Sequence, residues 1–368
     1  MARGCVALTE EFGLNAFNYS ASPARILFGA GRLSECGAEL KRLGASRAFI
    51  VTTPQQRAVG QMLVDQLGPL AGAIFDGATM HTPSDVTAVA LAMLNAEKCD
   101  ALLAIGGGST IGLSKALALR TGLPQVAIPT TYAGSEVTPI LGETVDGVKM
   151  TQRSPSLLPQ VVIYDVEQTL SLPPALSASS GLNAIAHAVE ALYARDANPI
   201  VSIMAEEGIA ALARSLPLVV RDSRDQDART EAQYGAWLCG MCLGSVGMAL
   251  HHKLCHVLGG SFDLPHSEVH ALVLPHAVLY NASHAPEAMS RLARALGGSQ
   301  HPWLDLYDLR HQLGLPGSLR ELGMNEEGLP RALELIMRDS YWNPRPMEMR
   351  PLQNLLRRAF EGATPTLD

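Results

Sequence analysis

Residues 104–116, AIGGGSTIGLSKA, pass from an apolar run through three glycines into a helical pattern. The run that leads into them, ALLAI at 101–105, carries no charge and does not alternate with polar residues, as expected of a strand covered on both faces. Without Cβ atoms, Gly106, Gly107 and Gly108 let the backbone approach a pyrophosphate, and the free N–H groups of the helix that opens at Ser109 favour its negative charge. The spacing is not GxGxxG, and no acidic residue stands out about 20 positions later, so alone the stretch leaves a ligand-free glycine turn open.

The surroundings decide between these readings. RAFIVTT (47–53) and GAIFDG (72–77) are strand-like runs separated by helical sequence at 55–70. HTPSDVTAVALAMLNAEKCD (81–100) predicts a helix with Ser84 as its N-cap, and QVAIPTT and VVIYD supply two further short strands. Repeated strand–helix–strand units with non-alternating strands predict a Rossmann-like parallel sheet layered between helices. A second loop, IPTTYAGSEVTP (128–139), also leaves a strand, and two loops at the carboxyl ends of parallel strands point to a nucleotide site.

From about Pro173 the period changes to that of helices, as in PIVSIMAEEGIAALARSLPLVV (199–220) and DARTEAQYGAWLCGMCLGSVGMALHHKLCHVL (227–258). Gly235, Gly240, Gly244 and Gly247 in the second run would permit close helix contacts. The join is expected in SLPPALSASSG (171–181), where paired prolines and small residues interrupt the pattern. The fold class is therefore α/β: a dinucleotide-binding parallel-sheet domain over 1–172, followed by an all-helical domain over 173–368.

The chain of 368 residues, 47% hydrophobic, is long enough for two cores. Its net charge of −7 argues against a general nucleic-acid or membrane-surface binder. No segment resembles a signal peptide or a membrane span, so a soluble cytoplasmic protein is expected. Cys5, Cys36, Cys99, Cys239, Cys242 and Cys255 are scattered and read as reduced thiols; CGMC (239–242) lies in an apolar helical run and is expected to pack in a core.

Six histidines fall within HHKLCHVLGGSFDLPHSEVHALVLPH: His251, His252, His256, His266, His270 and His276. His252 and His256 share one helix face, and in SSGLNAIAHAVEALYA (179–194) Asn183 stands one turn before His187. A catalytic metal ordinarily takes imidazoles together with a carboxylate; here the imidazoles are present and the carboxylate position holds an amide.

Taken in order, GGGS, PTT, a helix with the Asn183–His187 spacing, and HxxxH followed ten residues later by LPH resemble the iron-containing alcohol dehydrogenase superfamily across nearly the whole chain. That resemblance implies a metal held by Asp and three His, corresponding here to Asn183, His187, His252 and His266, with His256 lining the site. The departures resemble the maleylacetate reductase branch: Asn183 for Asp, Gly112 for an Asp after the glycine loop, the shorter PTTYAGSE, and the stretches NAIAHAVEALYA, MALHHKLCH and YWNPRP.

This resemblance implies reduction, in the breakdown of aromatic compounds, of the conjugated C=C bond of 2-maleylacetate to 3-oxoadipate. NADH is the expected cofactor, with NADPH admitted because Thr53 stands where NAD-preferring relatives often carry Asp. A neutral amide at 183 makes tight metal binding unexpected, so no catalytic metal is assigned. His252, His256 and Lys253 are assigned to enolate stabilisation and protonation, with His187, His266 and Asn183 shaping the former metal pocket.

Tyr132 is a second candidate proton donor, and Arg153 and Arg345 are candidates for the substrate carboxylates. Gly106, Gly107, Gly108, Ser109, Thr130, Thr131, Lys149 and Thr53 are assigned to the cofactor. Leu141 and Val269 depart from the branch and are expected at the pocket, which leaves room for a different unsaturated keto acid. A metal-dependent alcohol dehydrogenase and a non-catalytic nucleotide sensor are the other classes. A homodimer is expected, with residues 17–33 supplying edge strands; no nucleic-acid or membrane partner is.

Overall fold

The computed structural model describes residues 17–21, 24–338 and 341–366, with the side chain of Lys149 excepted. Cys5 therefore lies outside the described residues. The first half builds one parallel sheet from β1 (Arg25–Phe28), β2 (Ala48–Val51), β3 (Ala71–Phe75), β4 (Ala101–Gly106), β5 (Gln125–Pro129) and β8 (Val161–Tyr164), in the order β1-β8-β5-β4-β2-β3. Every residue of β2, β4, β5 and β8 is buried, which explains their uninterrupted apolar sequences. Helices α1 (Cys36–Arg42), α2 (Arg57–Leu67), α3 (Ser84–Ala96) and α4 (Gly108–Thr121) pack around the sheet.

Two details differ from expectation. Ser84 is the first residue of α3, and the N-cap position is Pro83, with no side-chain cap bond. Residues 140–153 form an antiparallel hairpin of β6 (Ile140–Val145) and β7 (Val148–Arg153) that the strand reading passed over. Its signal is present in the sequence: Asp146 and Gly147 both take positive φ (50° and 78°), as a two-residue hairpin turn of the Asp-Gly type requires.

After Pro173 the chain is helical: α5 (Pro174–Leu192), α6 (Pro199–Arg221), α7 (Gln226–Ser245), α8 (Leu250–Phe262), α9 (His266–Asn281), α10 (Pro286–Ala295), α11 (Pro302–Gln312), α12 (Gly328–Arg338) and α13 (Met349–Glu361). The run at 227–258 is two helices, because residues 246–249 leave helical geometry. There the N–H of Gly247 donates to Asp196 Oδ1 (3.0 Å) and that of Ala249 to Glu190 Oε2 (2.8 Å). Of the glycines in that run, Gly235, Gly240 and Gly244 do sit against other backbone. A Cβ on Gly240 would lie 2.8 Å from the Cα of Gly134, whereas Gly247 makes no such approach.

The five described cysteines are buried free thiols, and burial pushes Cys242 above its ordinary range; CGMC is core. Among the described residues no helix is long and apolar enough to cross a membrane.

Candidate active site

The carboxyl ends of β4 and β5 face the helical domain across a cavity of about 780 Å³. At one end lies the glycine loop. Gly106 has φ +152°, and a Cβ on Gly107 would lie 2.9 Å from Thr131 Cγ2, so the absence of side chains lets this loop close onto the 130–131 turn. The N–H of Thr130 donates to the Gly106 carbonyl (3.1 Å), and Gln56 Nε2 donates to Thr130 Oγ1 (2.8 Å). Gly108, Ser109 and Thr131 line the cavity at the N-terminus of α4, where a pyrophosphate would meet free N–H groups. Thr53 follows β2 at the same edge of the sheet without reaching the cavity lining. Lys149 lies in β7, and its side chain is outside the described residues.

Opposite stand the histidines. On α5, Asn183 and His187 are buried one turn apart and line the cavity. α8 contributes His252 and His256, with ring centres 6.2 Å apart, and His266 is the first residue of α9. His187 lies 5.1 Å from His252, and His256 lies 6.5 Å from His266, with nearly parallel rings. The structure thus brings to one cavity Asn183, His187, His252 and His266, the positions that correspond to the metal ligands of the resemblance, together with His256. Burial, with the neighbouring imidazoles, holds His187 and His252 well below the usual histidine range, so both rest neutral near pH 7.

Other assignments are corrected. Tyr132 is fully buried outside the cavity lining: its N–H donates to Ser180 Oγ (3.0 Å) and its hydroxyl accepts from Arg229 (3.1 Å), which also donates to Ser177 Oγ and the Leu172 carbonyl. It anchors the loop and is not placed to give a proton to substrate. Arg345 donates to the Tyr280 carbonyl (3.3 Å) and stacks on that ring, away from the cavity. The ammonium of Lys253 stands 5.9 Å over the ring of Tyr341, and it is Tyr341 that reaches the cavity. Arg153 does line the cavity, held by a bond to the Gly244 carbonyl. Leu141 also lines it, but Val269 is buried in the core beneath α8 and α13.

Sequence reasoning gave several residues no role, among them His270, which it named only within the histidine cluster. His270 reaches the cavity with neither ring nitrogen partnered among the described residues. His81 and Thr82 line it at positive φ (65° and 46°), and Thr82 occupies the space beside Gly112, where a Cβ would come within 2.5 Å of its hydroxyl. Lys115 is buried beneath the 135–140 segment, donating to the carbonyls of Ser135, Thr138 and Ile140; burial brings it down to about 7. Glu190, wholly buried, lies against His252 Nδ1 at 2.7 Å. Its signal is the series 183, 187, 190 along one face of α5.

A metal would have to be held by Asn183 Oδ1, which is buried and unpartnered among the described residues, and by the imidazoles. All of these donors are neutral, so none offsets a divalent charge. Among the described residues, the groups of three ligand atoms within 4.8 Å of one another are Glu190–His251–His252 and His251–Cys255–His270, not His187–His252–His266. The first would use a carboxylate already accepting N–H bonds from Ala249 and His251. The pocket does not fit a carboxylate-anchored iron.

The description "Iron-containing alcohol dehydrogenase" matches residues 23–166, and "Fe-containing alcohol dehydrogenase family, C-terminal" matches residues 177–360. The maleylacetate reductase of Rhizobium sp. (strain MTP-10005) is 52% identical over 96% of this chain and 100% of its own, and its crystal structure superposes with a TM-score of 0.93. The crystal structure of maleylacetate reductase from Agrobacterium tumefaciens gives the same identity, coverage and score, 52%, 96% and 100%, and 0.93. The maleylacetate reductase of Sphingobium indicum is 52% identical over 95% of this chain and 99% of its own.

Proposed function

From the premise that this chain belongs to the iron-containing alcohol dehydrogenase family, we propose that it reduces the conjugated C=C bond of 2-maleylacetate to 3-oxoadipate with a reduced nicotinamide cofactor and without a catalytic metal. The chain is an oxidoreductase, as its full-length relatives at about half identity are by name. The observation that carries the metal-free reading is Asn183: the one residue positioned to replace the family's anionic ligand is a neutral amide.

The chemistry accommodates this change. A bound reduced nicotinamide supplies hydride, which the alkene carbon distal to the ketone accepts. The electron pair of the alkene then moves through the conjugated system onto the ketone oxygen, and the carbon beside the ketone takes a proton. Charge in such an enolate is spread over oxygen and carbon, so hydrogen-bond donors can stabilise it where a localised alkoxide would call for a Lewis acid.

The cavity offers His256 as a donor at that oxygen and His252 as a relay that takes a proton from water and passes it to carbon, work worth about 10²–10⁴-fold. His187, His266 and Asn183 surround the reacting region, and Arg153 faces the cavity as a partner for a substrate carboxylate. The glycine loop, Ser109 and Thr131 orient the cofactor. NADH is the first choice, and Thr53 adds no carboxylate that would repel a 2′-phosphate. Buried thiols and use of a diffusible nicotinamide favour a cytoplasmic enzyme. The edge position of β1 favours a homodimer, for which light scattering should give twice the chain mass.

The test uses cofactor carrying deuterium at the transferred position, with maleylacetate as substrate. One deuterium on the product carbon distal to the ketone is expected. Deuterium on a carbinol carbon would mean carbonyl reduction and overturn the proposal, as would absence of cofactor consumption.

A further inference from the structure

Glu190 has no solvent exposure and is held by three neighbours on a different helix. Its Oε1 accepts the N–H of His251 (2.7 Å); its Oε2 accepts the N–H of Ala249 (2.8 Å) and lies 2.7 Å from His252 Nδ1. Ala249 is the N-cap of α8 and His251 its second residue, so the carboxyl group sits on a helix N-terminus. Burial raises the carboxyl above its ordinary range, and His251, the free N–H groups and the helix dipole oppose that rise by favouring an anion there. With Oε2 anionic, a bare Nδ1 would set lone pair against lone pair, and an Nδ1–H donates along the observed contact.

The consequence falls on the other side of the ring. His252 Nε2 is buried without a partner among the described residues, and His252 lines the cavity. We propose that Glu190 is a positioning residue that keeps the proton of His252 on Nδ1, so that Nε2 is the atom presented to the substrate. Nε2 can then take a proton from water and pass it to the substrate carbon without the ring turning over, because Nδ1 stays anchored. Glu190 itself touches neither substrate nor cofactor. Its helix carries Asn183 and His187 on the same face, so one element sets the pocket amide, one imidazole, and the orientation of the imidazole opposite.

The kinetic side of this proposal rests on the reduction proposed above; the structural side does not, and the tests separate them. Nitrogen NMR of protein labelled at histidine, with the His252 signals identified by their loss in His252→Gln, reads the ring directly and needs no turnover. A proton on Nδ1 is expected; a bare Nδ1 with the proton on Nε2 would overturn the proposal. For turnover, Glu190→Gln should lower kcat about 10–100-fold with KM changed less than about 3-fold. Added to His252→Gln, it should bring no further loss, because the residue acts through that ring. Losses that multiply in the double variant would mean a general structural role and contradict the assignment. Should Glu190→Gln fail to fold, the wild-type spectrum decides alone.

Discussion

Asn183 carries more of the functional account than any other side chain. Its amide oxygen is buried and has no partner among the described residues, in the position from which a carboxylate would hold a metal. Asn183→Asp is therefore expected to create the affinity that the proposed metal-free pocket would not have: one equivalent of zinc bound in calorimetry and retained through elemental analysis, with maleylacetate turnover reduced. Equal metal content in wild type and variant would contradict this. The pairing of 183 with 187, and of 252 with 256, was legible in the sequence because helical spacing alone puts such residues on one face. Tyr132 and Arg345 were not legible in the same way. Whether a tyrosine or arginine reaches a cavity depends on remote partners, Arg229 in one case and Tyr280 in the other, that no local pattern announces.

Among the elements, the loop after β5 and helix α7 meet where two glycines touch. Gly134 has φ +77°, and the space above it is closed by the backbone of Gly240. Gly240→Ala places a methyl group 2.8 Å from both the Cα and the carbonyl oxygen of Gly134, neither of which can move aside cheaply. The expected cost is about 1–3 kcal/mol, read as a fall in Tm, because backbone must shift to admit it. An unchanged Tm would show that the contact is looser than described. Strands β2, β4, β5 and β8 were legible because complete burial writes an unbroken apolar run. The 140–153 hairpin was not, since one of its faces is open, with Val148 and Met150 exposed, and its short alternation is weaker than its Asp-Gly turn. The break between α7 and α8 is set by Asp196 and Glu190, distant acceptors that hold the backbone out of helical geometry.

For the molecule as a whole, the helical domain buries several imidazoles in neutral form, and this makes stability depend on pH. Burial, reinforced by Arg310 and Arg358, holds His276 down at about 3, and burial holds His251 at about 4. An unfolded histidine titrates near 6.5, so between these values the unfolded chain binds more protons than the folded one. Stability is fully present above about 6.5 and is lost as the pH falls toward 3. Urea midpoints should drop between pH 7 and pH 5. His276→Gln should make that slope shallower by about 1–2 kcal/mol over the interval; an unchanged slope would contradict the neutral assignment. Burial likewise holds His187, His252 and His270 well below the usual histidine range in the imidazole-rich wall across the cavity from the glycine loop, which is the arrangement the proposed reaction uses. The most direct measurement is maleylacetate-dependent loss of reduced-nicotinamide absorbance in protein stripped of metal, with and without added chelator or iron. Full turnover in the stripped protein, unchanged by either addition, is expected of a metal-free reductase; turnover that vanishes on stripping and returns with iron would contradict that assignment.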